Sequence, residues 1–148
     1  MKTKTITTLF LAIIATFSFT LLSLQNQQEP WTQKQLMAPS ELAKILNNPK
    51  APQPVVFSIG PQAIIKGSID IGSARDKANL NKLKERLDKL PKDANIVIYC
   101  GCCPFDRCPN VRPAFELLNK MQFKNHKLLN LPHNLKADWI DPGYPTND

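Results

Sequence analysis

Apolar residues along this chain fall into short runs of two different periods, and the two kinds of run alternate. After Pro39-Ser40-Glu41, Leu42, Ile45 and Leu46 recur at helical spacing until Asn47-Asn48-Pro49 ends the pattern. Pro52 and Pro54 lead into Val55-Val56-Phe57-Ser58-Ile59, a β-rich run closed by Gly60-Pro61 that reads as a strand. Ala63-Ile64-Ile65 is followed by Lys66 to Gly72, a turn with a brief extended piece. From Arg75 to Leu90, the leucines at 80, 83, 87 and 90 share one face of an amphipathic helix and pack into the core. Asn95 to Cys100 is a continuous apolar run, as expected of a central strand buried on both faces. Ala114, Phe115, Leu117, Leu118 and Met121 mark the next helix. Pro113, tolerated only in a first turn, sets its start no earlier than Cys108 to Asn110. A strand over His126 to Leu131 and a short helix over Asn134 to Ile140 complete the pattern. Such alternation predicts an α/β domain of three layers, with a mostly parallel central sheet and helices on both faces.

The first segment stands apart. Lys2 and Lys4 precede an uncharged stretch from Thr5 to Gln28 with an apolar heart over Leu9 to Leu24. A positive start followed by an apolar run reads as a signal peptide or an N-terminal membrane anchor over residues 1–28, with one domain over 29–148. Ser18 and Thr20, or Ser23 and Gln25, make an imperfect cleavage site, so both alternatives stay open. Both export the domain, which is expected to be periplasmic or anchored facing the periplasm, with membrane association only through the N-terminus. No cysteine follows the apolar run to carry a lipid.

Length and composition add limits. The 148 residues, 43% of them apolar, suit one globular domain, with no repeat or low-complexity tract. The net charge of +7 falls to +5 if Lys2 and Lys4 are removed, and its basic residues are scattered. That describes a solvated surface rather than a nucleic-acid patch. A monomer is expected.

The cysteines change the picture more. Cys100, Cys102, Cys103 and Cys108 lie within nine residues and the chain has no others, which excludes disulfides stapling distant segments. Cys100 ends the predicted central strand, and ligand sites in open parallel sheets lie at the carboxyl ends of strands. A loop of backbone amides, a helix N-terminus and the nearby Arg107 and Arg112 would all favour thiolate over thiol. Cys100 is then a nucleophile, or else simply a small buried hydrophobe ending a core strand.

In these pieces the chain resembles a rhodanese (sulfurtransferase) domain, over about Leu36 to Pro145. Tyr99-Cys100 before a loop and helix is similar to the family's active-site strand. Lys66 to Ala74 is similar to its Gly-His-Ile-x-Gly-Ala turn, and Val55 to Gly60 to its strand ending in Asp-x-Arg. Trp139 and Gly143-Tyr144-Pro145 match its closing Trp and Gly-Tyr-Pro. The resemblance implies a thiosulfate sulfurtransferase-like enzyme without a cofactor or metal. Cys100 would carry sulfur from a small anionic donor as a persulfide and pass it to a thiol or cyanide-like acceptor. Gly101, Cys102, Cys103 and Arg107 would contact substrate, the amides of residues 101–107 steadying the charge. The chain departs from the family at Ser58, Gly60 and Ser68, where Asp, Arg and His are usual, and in a longer active loop. Six residues separate Cys100 from Arg107 and four separate Cys102 from it, so Cys102 is the alternate nucleophile.

In an oxidising compartment, close thiols tend to pair. Cys102 or Cys103 could form a disulfide with Cys108, or a neighbouring thiol could resolve a Cys100 persulfide by releasing sulfide; Cys102 to Cys103 would need a strained ring. The competing reading is an exported thiol redox or metal module holding Cu(I) or zinc through the cysteines. Phosphate or arsenate chemistry wants five residues between cysteine and arginine, which neither count provides. Among the remaining polar residues, His126 is expected to flank a strand in a surface or capping role, and His133 in a loop near the site. Asp106 belongs to the cysteine loop, and Trp139 and Tyr144 are expected to secure the C-terminus by packing.

Overall fold

The computed structural model describes residues 29–147, so the predicted export segment lies outside it. Among the described residues, no helix is long and apolar enough to cross a membrane. Five strands, β1 (Leu36–Met37), β2 (Val55–Ser58), β3 (Ile69–Asp70), β4 (Asn95–Tyr99) and β5 (Asn125–Leu129), form one sheet in the order β1-β5-β4-β2-β3. Every neighbouring pair is parallel, with Phe57 opposite Ile98 and Ile98 opposite Leu128 at the centre.

The helices are α1 (Pro39–Leu46), α2 (Lys77–Leu87) and α3 (Val111–Lys120), followed by a π-helical turn over Lys136–Ile140. Side chains of successive strand residues point to opposite faces, and the two cores follow that alternation. Phe57, Ile96, Ile98 and Leu128 pack with Leu83 and Leu87 of α2 and Ala114, Phe115 and Leu118 of α3. Val56, Val97, Tyr99 and Leu129 pack with Leu42 and Ala43 of α1 and with Trp139. The molecule is thus the expected three-layer α/β domain.

Several boundaries move for local reasons. The helix expected from Arg75 begins at Lys77, because Asp76 adopts an extended conformation as its N-cap, and it ends at Leu87 with Leu90 packed beyond it. The last strand stops at Leu129, where Asn130 turns to donate its N–H to Met37 O. β1 escapes a periodicity argument because two residues are too few to show one. The brief piece after Gly67 is β3, and Gly67 (φ 71°) and Gly72 (φ 85°) supply the left-handed turns on either side. His126, expected at the surface, is instead buried in β5.

Candidate functional site

A parallel sheet places all its strand ends on one side, and β2 and β4 end there beside one another. Cys100 follows β4 directly, is 1% exposed, and belongs to the core face shared with Ile96 and Ile98. Gly60 lies across from it: a Cβ there would come within 3.0 Å of Cys100 Sγ. A side chain at Gly60 would therefore press on the sulfur.

The cysteine loop is tied down at several points. Gly101 O accepts the N–H of Leu135 at 3.0 Å, and Leu131 O accepts that of Phe105 at 3.1 Å. A Cβ on Gly101 would meet Leu135 Cβ at 2.7 Å, so glycine is required for this approach. A short 3₁₀ turn over Phe105–Arg107 carries the chain to Cys108, fully buried, and to Asn110, the N-cap of α3.

Asn110 is the residue that sequence reasoning missed. Its Oδ1 accepts the Ser73 hydroxyl at 2.7 Å and the Arg75 N–H at 3.1 Å, which fixes the amide so that Nδ2 donates to Cys100 Sγ at 3.4 Å. Its available signal was position: a polar residue at the helix start that Pro113 defines. Ser73 and Arg75 come from the turn before α2 and carried no signal of their own.

All four cysteines are free thiols. Cys102 Sγ lies 3.3 Å from Cys100 Sγ, 3.3 Å from Cys103 Sγ and 4.0 Å from Cys108 Sγ. The Cys100 pKa is lowered to about 5: the Cys108 thiol donates to it, burial opposes, and the Asn110 amide and the Cys102 N–H and thiol add to the lowering. The cost of withdrawing Cys102 from water, with hydrogen bonding to Cys103 and the neighbouring Cys100 charge, pushes Cys102 up to about 12. Cys108 is also raised, chiefly because its hydrogen bond to Cys100 holds its proton. One sulfur of the cluster thus takes the charge while two neighbours keep their protons and donate.

The other predicted residues separate. Arg107 and Asp106 are exposed, and Arg107 does not contribute to the low Cys100 pKa. Arg112 is engaged by Glu29 and lies over the Trp31 ring. His133 is exposed and pairs with Asp138 at 2.8 Å rather than with the cysteine loop. Burial would raise the Asp138 pKa, but His133 and the N–H groups of His133 and Asn134 lower it overall. Ser58 and Ser68 bond Gln62 O at 2.7 Å and the Tyr99 hydroxyl at 3.0 Å. Trp139 donates to Pro145 O and stacks edge-on with Tyr144, as packing residues should.

A groove of about 320 Å³ opens beside the loop, lined by Pro61, Gln62, Ile64, Gly101, Cys102 and Leu135 among others. Exposed Cys102 stands at the junction of this groove and the buried thiols. The sulfurs of Cys100, Cys102 and Cys108 lie within 4.8 Å of one another, so a thiophilic metal ion is the other ligand this cluster fits. No family model matches the chain and no curated protein matches it significantly.

Proposed function

We propose that the domain is a rhodanese-like sulfurtransferase with Cys100 as its sulfur carrier. The observation that supports this most is the Asn110 amide donating at 3.4 Å to a buried sulfur at the end of β4, with the Cys102 and Cys108 sulfurs within 4.8 Å of it. Donors aimed at a buried sulfur stabilise its thiolate, the form that attacks, and stabilise it again when it leaves.

In the first half-reaction the Cys100 thiolate attacks the outer sulfur of a donor such as thiosulfate. A Cys100 S–S bond forms, the donor's S–S bond breaks, and sulfite departs with the electron pair. In the second, an acceptor such as cyanide or a thiol attacks the outer sulfur, and Cys100 leaves as thiolate. Ser58, Gly60 and Ser68 cannot bind the donor as the family's charged residues do, so a weaker grip on thiosulfate than in the family is part of the reading. Export through the N-terminal segment remains part of the proposal as well.

The test is intact mass after the reduced protein meets thiosulfate. One added sulfur on the Cys100 peptide, lost on adding cyanide, or sulfide released from that peptide, is expected. A chain that neither gains sulfur at Cys100 nor releases sulfide rules the reading out. A second reading, a soft-metal module, is favoured by the close approach of three sulfurs. One Cu(I) or zinc ion per chain after purification under reducing conditions would support it over sulfur transfer.

A further inference from the structure

The four thiols differ in a way that one carrier sulfur does not require. Cys100 and Cys108 are buried, Cys103 is half-buried, and Cys102 is exposed while in contact with Cys100. We infer that Cys102 resolves the Cys100 persulfide, releasing sulfide and leaving a Cys100–Cys102 disulfide that an external dithiol reopens. This rests on the sulfur uptake proposed above and names its product and its reductant class.

Distance decides which sulfur Cys102 would strike. Displacement at sulfur runs in line, with attacking, struck and leaving atoms nearly collinear. The outer atom of a persulfide sits about 2 Å beyond Sγ. To attack that atom, Cys102 would have to lie past it, roughly 5 Å from Cys100 Sγ once a contact distance is added. It lies at 3.3 Å, the approach distance for the inner sulfur. Passing the sulfur on to Cys102 therefore needs the sulfurs to move apart, whereas closing a disulfide draws them together by about 1 Å. Gly101 holds this arrangement, because its contact with Leu135 and the Leu135 N–H bond pin the residue between the two cysteines.

The balance is Cys100–S–S⁻ plus Cys102–SH giving Cys100–S–S–Cys102 plus HS⁻. The bond from Cys100 Sγ to the outer sulfur breaks, its electron pair leaves on the outer sulfur, and the Cys102 proton goes with it. Cys102 attacks through its sulfur as the S–H proton is given up, and the departing sulfur takes that proton. The dithiol then supplies two electrons and two protons and becomes a disulfide itself. Its first attack falls on exposed Cys102, since Cys100 is 1% exposed. That attack expels Cys100, and a thiolate of low pKa is the better leaving group. Cys108 is buried with its sulfur within 4.8 Å of the Cys100 sulfur, and Cys103 lies beyond Cys102.

The experiment uses the full chain, reduced, freed of reductant, and given thiosulfate without oxygen or cyanide. Expected are one sulfide per chain and a disulfide that peptide mapping assigns to Cys100 and Cys102, with repeated turnover once dithiothreitol is added. In Cys102→Ser the added sulfur should stay on Cys100, and sulfide release should fall to the rate without protein. A wild-type chain that holds its persulfide and releases no sulfide overturns the inference while leaving sulfur uptake standing. A disulfide that maps to Cys103 or Cys108 also overturns it. If neither chain gains sulfur or releases sulfide, the uptake reading falls, and this inference falls with it.

Discussion

At the amino-terminal ends of the strands a cleft of about 480 Å³ is lined by Lys34, Gln35, Asn95, Lys124, His126 and Lys127 among others. At the carboxyl-terminal ends the groove beside Cys102 measures about 320 Å³. Volume and positive charge both point to the first. Two of its side chains, His126 and Lys127, are nevertheless committed to the fold: His126 meets Phe123 O, Asn119 Oδ1 and Gln35 Nε2, and Lys127 donates to Lys34 O. At the other end the Asn110 amide and the Cys108 thiol are spent on one sulfur that no secondary structure needs. What separates the ends is whether the polar groups hold the protein together or hold a charge ready.

The largest effect should come from Cys100→Ser. Sulfur transfer from thiosulfate to cyanide should fall to background, with the cooperative unfolding transition retained because serine is no larger. Lys124→Ala, at the other end, should leave transfer within about twofold, surface changes away from such networks being small in general. A transferring Cys100→Ser chain, or an inactive but folded Lys124→Ala chain, would break the comparison.

Gly101→Ala comes next. The new Cβ would overlap Leu135 Cβ, close to the backbone, so a side-chain rotation cannot relieve it. Overpacking of this kind costs about 1–3 kcal/mol, readable as a lower urea midpoint, and relief by moving the loop would displace Cys102. A midpoint equal to wild type would mean that the loop is not pinned as described.

Asn110→Ala is subtler and tests the charge itself. With the Cys100 pKa near 5, sulfur uptake should be flat above about pH 6 and fall as the thiolate protonates near pH 5. A hydrogen bond to a charged group contributes about 1.5–3 kcal/mol, so losing this one should cut uptake at pH 6 by about two- to fifteenfold. Uptake should recover near pH 9. Asn110→Asp keeps an acceptor for Ser73 and Arg75 but sets a negative charge beside the sulfur, and should move the profile further. A purely structural Asn110 would lower uptake equally at every pH.

Much of this was legible in the chain because it rests on local pattern. The continuous apolar run of β4 and the leucine stripe of α2 are written in period and length, and they placed Cys100 at a strand end. What was not legible depends on contacts between distant segments. Nothing near Asn110 reveals that Ser73 and Arg75 from another connection will orient its amide. Arg107 was open in the sequence between orienting a substrate and facing solvent, and the 3₁₀ turn leaves it exposed beside the loop. The thiols could be counted but not ranked, because their order of acidity comes from which sulfur the Asn110 amide and the neighbouring thiols donate to.

The smallest effect belongs to the amino-terminal end and concerns stability alone. Burial, with the Lys127 charge adding to it, holds the His126 pKa below its ordinary 6.5, while the bond to Phe123 O opposes. A base with a lowered folded pKa binds protons more readily when unfolded. Above pH 6.5 both states are neutral at this site and it adds nothing to the pH dependence. As pH falls through 6.5 the unfolded chain protonates first, and stability is lost until the folded pKa is reached. Urea unfolding at pH 7.5 and at pH 5.5 should therefore show a loss at the lower pH. His126→Gln, which cannot titrate, should show a smaller loss even if it is less stable at both. Because Cys100 lies at the far end of the sheet, its sulfur uptake should follow the same pH profile in this variant as in wild type. A profile that shifted with His126 would mean that the two ends are coupled through β4 and β5, and that the division between a structural and a chemical end is too sharp.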